Sequence, residues 1–286
     1  MTTLASPPGD AVTAGRPTVG FVLSGGGSLG AVQAGMVLAL AEAGIVPDVI
    51  AGASSGALNA AFLAGRPGLA GARALADIWL DLRRRDVMPL RPTHLLTGLS
   101  ARRATIVQND RLALFIRTRL PYGRIEDAAT PLAIATTDAH SGVPVLLQRG
   151  EIVQALLAST AIPGVFPPVV IDGRTLIDGS VVDDQPVEAV LSMGATVVFV
   201  LPTPYPHPAE LPTDPFSMAL RAAQLSIVRR NEVELNLVPA GVTVHVVPPI
   251  TTNISTFDFG RARQLIDESH QLAQAWLVDL PVTAPS

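Results

Sequence analysis

The feature that most constrains this chain is a pattern met twice near its start: a short apolar run, a cluster of glycine and serine, then a run rich in alanine and leucine. Thr18-Val19-Gly20-Phe21-Val22-Leu23 leads through Ser24-Gly25-Gly26-Gly27-Ser28-Leu29-Gly30 into a segment ending at Ala43, closed by Gly44. Val49-Ile50-Ala51 leads through Gly52-Ala53-Ser54-Ser55-Gly56 into a segment ending at Ala64, closed by Gly65. Short apolar runs bounded by glycine suit buried strands, and alanine- and leucine-rich runs closed by glycine suit helices, here Leu29 to Ala43 and Ser55 to Ala64. Strand, helix, strand, helix in close succession implies parallel βαβ units and an α/β sheet.

The rest of the chain continues in this style. Leu69 to Leu120 reads as helical and carries Trp79 and the arginine runs Arg83-Arg84-Arg85 and Arg102-Arg103. Pro131 to Thr137 and Val143 to Gln148 read as a hairpin, with Glu151 to Ser159 a helix after it. Val169-Val170-Ile171 and Arg174 to Ile177 form a second hairpin around the tight turn Asp172-Gly173. A helix from Pro186 to Met193 precedes a strand from Ala195 to Leu201. Pro202 to Pro215 holds six prolines and reads as a loop. A helix near Phe216 to Leu235, a strand from Val242 to Val247 and a helix near Phe257 to Val278 complete the chain. The expected organisation is a loose tail over residues 1–16 and one domain over 17–286.

Composition narrows the chemistry. Hydrophobic residues are 48% of the chain and charged ones 15%, enough apolar material for a large core. With no cysteine, disulfides, thiolate metal sites and cysteine nucleophiles are excluded. Every one of the 20 basic residues is an arginine, so Schiff-base chemistry, a Ser–Lys pair and a P-loop lysine are excluded too. A net charge of −4 gives no footprint for nucleic acid. The first sixteen residues lack a basic start followed by an apolar run and do not read as a signal peptide. The uncharged stretch from Pro17 to Ala41 is broken by its glycines and reads as strand, turn and helix, not a membrane span. A cytoplasmic protein is expected.

Two motifs stand where strands hand over to helices. Gly52-Ala53-Ser54-Ser55-Gly56 fits G-x-S-x-G, the sharp turn that exposes a serine oxygen at the start of a helix, with Ser54 as nucleophile. Read by itself, it also fits a plain tight connection. The backbone N–H groups of the glycine loop would face negative charge beyond the strand end, as an oxyanion hole does. That loop also fits G-x-G-x-x-G, the dinucleotide fingerprint, with Asp48 as the acid that would follow. Asp48 precedes its strand, however, and such an acid should close one.

A serine needs a base. The five histidines His94, His140, His207, His245 and His270 have no local setting that marks them as catalytic. Asp178, in Ile177-Asp178-Gly179-Ser180, follows an apolar strand and precedes a glycine turn, where a carboxylate could take the serine proton directly. Locally it is not separable from an ordinary turn acid. Asp183 and Asp184 read as turn or helix-start residues.

Taken together, these segments resemble the patatin-like phospholipase family. The resemblance rests on Gly25-Gly26-Gly27-Ser28-Leu29-Gly30 and on Gly52-Ala53-Ser54-Ser55-Gly56 continuing as Ala57-Leu58-Asn59-Ala60. It rests also on Ala158-Ser159-Thr160-Ala161-Ile162-Pro163-Gly164-Val165-Phe166-Pro167-Pro168 and on the segment from Ile177 to Val187. It covers about Val19 to Leu201. The resemblance implies a three-layer α/β/α sandwich with a mainly parallel sheet. It implies hydrolysis of lipid acyl esters by a Ser–Asp dyad, with Ser54 as nucleophile and Asp178 as base. It puts the backbone N–H groups of Gly25, Gly26, Gly27 and Ser28 in the oxyanion hole and implies no metal or cofactor. A lipid substrate implies a peripheral membrane contact, expected through the helices between Leu69 and Leu120. The chain departs from the family at Leu29, where a basic residue is usual, and at Ser180, where glycine or alanine is usual. The departure at Leu29 keeps a catalytically weak lipid-binding protein as an alternative, beside an oxidoreductase using the glycine loop for a dinucleotide.

Overall fold

The computed structural model describes residues 16–88, 108–205, 211 and 213–280. Its centre is an eight-stranded sheet. In chain order the elements are β1 (Val19–Leu23), α1 (Ala31–Glu42), β2 (Val49–Ala53), α2 (Ser55–Gly65), α3 (Gly68–Asp81), α4 (Arg84–Val87) and α5 (Asp110–Arg119). They continue with β3 (Leu132–Asp138), β4 (Pro144–Leu147), α6 (Ile152–Ser159), β5 (Val169–Ile171), β6 (Arg174–Asp178) and α7 (Val187–Ser192). Last come β7 (Val197–Leu201), α8 (Pro215–Leu235), β8 (Thr243–Val246) and α9 (Ala262–Asp279).

Strands lie in the order β5-β6-β3-β2-β1-β7-β8, with β4 also paired to β3. The run β3-β2-β1-β7-β8 is parallel, and β4, β5 and β6 are antiparallel additions. Residues on the central strands alternate between two cores, as the period of two in a strand requires. Phe21, Leu23, Ile50, Leu132, Ile134, Phe199 and Leu201 face one core, with α1, α2, α3, α6 and α9 against them. Val22, Val49, Ala51, Ala133, Val198 and Val200 face the other, covered by α7 and the end of α8. Helices on both faces make the three-layer α/β/α sandwich. Large side chains go to the thick side, where Phe21 and Phe199 meet edge-on at 5.8 Å. Such a pair contributes about 0.5–1.5 kcal/mol beyond its buried area.

Both hairpins form, and the Asp172-Gly173 turn takes positive φ at both residues, as a type I′ turn demands. Several boundaries differ from the sequence reading: the last helix starts at Ala262 and β7 at Val197, and two further differences lie beside Ser54 and the glycine loop. β2 runs on through Gly52 to Ala53, because pairing with Ile134 and Ala135 of β3 holds the glycine in the ladder. The first helix starts at Ala31, after a 3₁₀ turn at Gly27–Gly30. The segment expected to be helical from Leu69 to Leu120 contains α3, α4 and α5. The stretch 89–107, with Arg102-Arg103, and the tail over 1–15 lie outside the described residues. No helix of the described residues is long and apolar enough to cross a membrane.

Register on β3 assembles the site. Ala135 pairs with Ala53 of β2 and with Leu146 of β4, so those strands occupy opposite edges. Thr136 pairs with Val145 of β4 and with Asp178 of β6. β6 therefore takes the edge that β2 occupies and continues it where β2 stops. The ends of β2 and β6 meet head to head, which brings Ser54 beside Asp178 across 124 residues of chain.

Candidate active site

Ser54 follows the last residue of β2 and opens α2 with φ 53° and ψ −124°. This is a region L-residues rarely adopt, and such strain persists only where the surroundings over-determine it. They do so here. A Cβ on Gly56 would lie 2.4 Å or closer to the carbonyl oxygens of Leu23 and Ser24, and one on Gly52 would lie 2.5 Å from the Gly56 carbonyl. Both glycines are needed for the chain to turn this tightly. The Ser54 N–H donates to Ser159 Oγ at 3.0 Å, and that hydroxyl donates to the Ala135 carbonyl at 2.7 Å.

Ser54 Oγ donates to Asp178 Oδ2 at 2.7 Å, and Asp178 Oδ1 accepts the Ser180 N–H at 2.9 Å. The Asp178 N–H donates to the Ala161 carbonyl at 3.1 Å. The stretch from Ala158 to Pro168 thus grips both partners, Ser54 through Ser159 and Asp178 through Ala161. Asp178 is buried, which pushes its carboxyl up to about 7; the bonds from Ser54 and Ser180 hold it down and the nearby Asp184 raises it further. That value sits near neutrality, where a general base works best.

The glycine loop lies against this pair. A Cβ on Gly25 would stand 3.0 Å from the Cβ of Ser54. Gly25 N–H donates to Asp184 Oδ1 at 3.0 Å, and Ser28 N–H to the Thr256 carbonyl at 2.8 Å. The N–H groups of Gly26 and Gly27 have no partner among the described residues. Beneath the loop, Gln33 Nε2 donates to the Ser24 and Leu201 carbonyls. Asn59 Nδ2 donates to the Gly30 carbonyl and to Gln33 Oε1, and Trp79 Nε1 donates to Asn59 Oδ1. Leu29 is fully buried in the core, so the loop carries no charge of its own.

Ser54 stands between two cavities. One is narrow and almost wholly apolar, with Leu58, Phe62, Ile78, Trp79, Leu112 and Phe115 in its wall. The other is wider and more open, and holds the glycine loop, Asp178, Asp184, Tyr205 and Arg230. Phe257 and Ile162 line both. None of the described histidines, His140, His245 and His270, lines either cavity; His94 and His207 lie outside the described residues. Among the described residues no three histidine or acidic side chains gather as metal ligands.

The acid suggested for a dinucleotide is elsewhere. Asp48 accepts the Val19 N–H at 2.8 Å and pairs with Arg16, at the opposite end of β1 from the glycine loop. It cannot reach a ribose bound at that loop, and the oxidoreductase alternative fails on this geometry.

The sequence profile of the patatin-like phospholipases matches residues 21–191. The chain belongs to this family. An uncharacterized NTE family protein of Mycobacterium tuberculosis is 31% identical over 186 residues, 65% of this chain and 49% of that protein. Patatin-like phospholipase domain-containing protein 7 of Rattus norvegicus is 30% identical over 186 residues, 64% of this chain and 13% of that protein. The match thus spans half or less of the length of these relatives. Human GIVD cytosolic phospholipase A2 superposes with a TM-score of 0.46 at 14% identity, over 92% of this chain and 58% of that one. The family match ends at residue 191, before several of the residues around Ser54. Thr203 and Tyr205 sit in the proline-rich segment, Asn231 in the middle of α8 and Thr256 in the loop before α9. None carries a local signal that pattern reading could find. Asp184, read from sequence as a turn or helix-start acid, is a buried member of the same network.

Proposed function

We propose that this chain is a serine hydrolase that cleaves acyl esters of lipids, with Ser54 as nucleophile and Asp178 as its general base. The observation that carries the reading is the 2.7 Å bond to the buried carboxyl of Asp178 from the Oγ of Ser54, a residue that lines the apolar cavity. Asp178 takes the Ser54 proton as Oγ attacks the ester carbonyl carbon. The carbonyl oxygen becomes an oxyanion, stabilised by donors already in position before the reaction. The unpartnered N–H groups of Gly26 and Gly27 suit that task, next to Gly25 and Ser28 in the same loop. As the C–O bond to the leaving alcohol breaks, Asp178 returns the proton to the departing oxygen. Water then repeats the attack on the acyl-serine, and the acid is released.

The apolar cavity suits an acyl chain, and the wider cavity, which also holds Asp184, Tyr205 and Arg230, suits the leaving group. A lipid substrate brings the protein to a membrane surface as a peripheral visitor. A second reading, lipid binding without turnover, has one observation behind it: Leu29 is buried where the family usually has a basic residue.

Hydrolysis of short and medium chain p-nitrophenyl esters by wild type and Ser54→Ala tests the choice. The hydrolase reading expects turnover that falls by at least about a thousandfold in the variant. Absence of turnover in wild type, with lipid binding intact, favours the second reading.

A further inference from the structure

We propose that Asp184 is a positioning residue: it holds the glycine loop by its Gly25 N–H and so aims the Gly26 and Gly27 N–H groups at the carbonyl that Ser54 attacks. The proposal rests on the hydrolase reading above and deepens it.

Asp184 is 1% exposed, yet every bond it makes is to a donor. Oδ1 accepts the Gly25 N–H at 3.0 Å. Oδ2 accepts the Tyr205 hydroxyl at 2.8 Å and Asn231 Nδ2 at 3.0 Å. A carboxyl buried this deeply is expensive to keep unless its lone pairs are used, and three donors from three separate stretches of chain converge on it. Tyr205 and Asn231 orient the carboxyl; Gly25 is what it holds.

The opposite side of the same residue is held as well. The Gly25 carbonyl accepts a short bond from Thr203 Oγ1, and the Thr203 N–H donates to Ser24 Oγ at 2.8 Å. With N–H and C=O both fixed, Gly25 cannot rotate, and the next two N–H groups keep their direction. A bare Cα suits this position, because a Cβ on Gly25 would crowd Ser180 Oγ, Asp184 Oδ1 and the Ser54 Cβ together. A loop without a charge of its own depends on aim, since backbone dipoles stabilise an oxyanion only when already oriented.

Asparagine at 184 separates aim from charge. Its amide oxygen can accept the Gly25 N–H. Its NH₂ would face Asn231, whose Oδ1 has no partner and can turn to accept, and a Tyr205 hydroxyl free to rotate its proton. Alanine removes the acceptor altogether.

The test measures kcat and KM of wild type, Asp184→Ala and Asp184→Asn on one p-nitrophenyl ester, with Ser54→Ala as blank, and amide exchange at Gly25, Gly26 and Gly27. Expected is a fall in kcat of about a hundredfold in Asp184→Ala with KM nearly unchanged, the size of losing one oxyanion donor. Asp184→Asn is expected to recover most of that loss. The Gly25 amide exchanges slowly in wild type and at least about tenfold faster in Asp184→Ala, while Gly26 and Gly27 exchange quickly in both. A folded Asp184→Ala with wild-type kcat overturns the proposal, as does Asp184→Asn falling as far as Asp184→Ala. If Asp184→Ala does not fold, wild-type exchange decides: a Gly25 amide as labile as Gly26 overturns it. A wild type without Ser54-dependent turnover removes the hydrolase reading, and the exchange data still decide whether Asp184 holds Gly25.

Discussion

On one side of Ser54 the chain buries two carboxyls, Asp178 and Asp184, and satisfies them with donors drawn from residues 25, 54, 180, 205 and 231. On the other side it sets Leu58, Phe62, Ile78, Leu112 and Phe115 around an almost wholly apolar space. The two walls obey different rules. The polar wall depends on direction, because a hydrogen bond weakens steeply with angle and a buried group left unpaired is costly. The apolar wall depends on volume and tolerates exchange among hydrocarbons of similar size. Changes on the first wall should therefore act on the chemical step, and changes on the second on the choice of substrate.

Proton supply separates the walls most sharply. Burial raises Asp178 to about 7, and only its ionised form can take the Ser54 proton. Below that pH, kcat/KM on a neutral ester should fall about tenfold per unit, a hundredfold over two units, and it should level off above it. A rate flat from acid to neutral pH would mean that the base is not this carboxyl. The groups that set the value are Asp184, which raises it, and the Ser54 and Ser180 donors, which lower it.

The apolar wall should respond differently. Leu58→Trp fills part of the cavity and should lower the ratio of kcat/KM for an octanoyl over an acetyl ester by about tenfold, with little change on the acetyl ester. An equal loss on both esters would show that this cavity does not hold the acyl chain.

The smallest effect is on stability and has the opposite sign from activity. A folded-state value near 7 lies above the ordinary carboxyl value near 4, so the native protein binds the proton more tightly than the unfolded chain does. Stability therefore falls as pH rises from about 4 to about 7, and above that the ionised Asp178 remains a burden. Asp178→Asn should raise the melting temperature by a few degrees at about pH 8 and less at about pH 5. An Asp178→Asn variant that melts below wild type at about pH 8 would contradict the shift.

What was legible in the sequence follows the reach of each signal. Val19–Leu23, the Asp172-Gly173 turn and the helix closing at Gly65 are set by neighbours within a few residues, and they appear where pattern reading put them. Gly52 shows where that reading stops: a glycine looked like the end of a strand, and pairing with Ile134 carried β2 on to Ala53. Ser54 was visible because a strained turn needs glycines at fixed spacing. Asp178 was visible only through resemblance, since nothing local distinguishes it from a turn acid. Its position comes from β2 and β6 sharing one edge of β3, a fact of register spread over more than a hundred residues. Asp184 with Tyr205 and Asn231 was invisible for the same reason: each looks ordinary alone, and only packing brings them together.

The most direct test of the Ser54–Asp178 pair is ester turnover by Asp178→Asn against wild type at about pH 8, with both shown to be folded. Asparagine keeps the shape of the site but cannot accept the Ser54 proton as a carboxylate does, so kcat should fall by about a thousandfold or more. Turnover within about tenfold of wild type would contradict the account and send the search for the base back to the histidines.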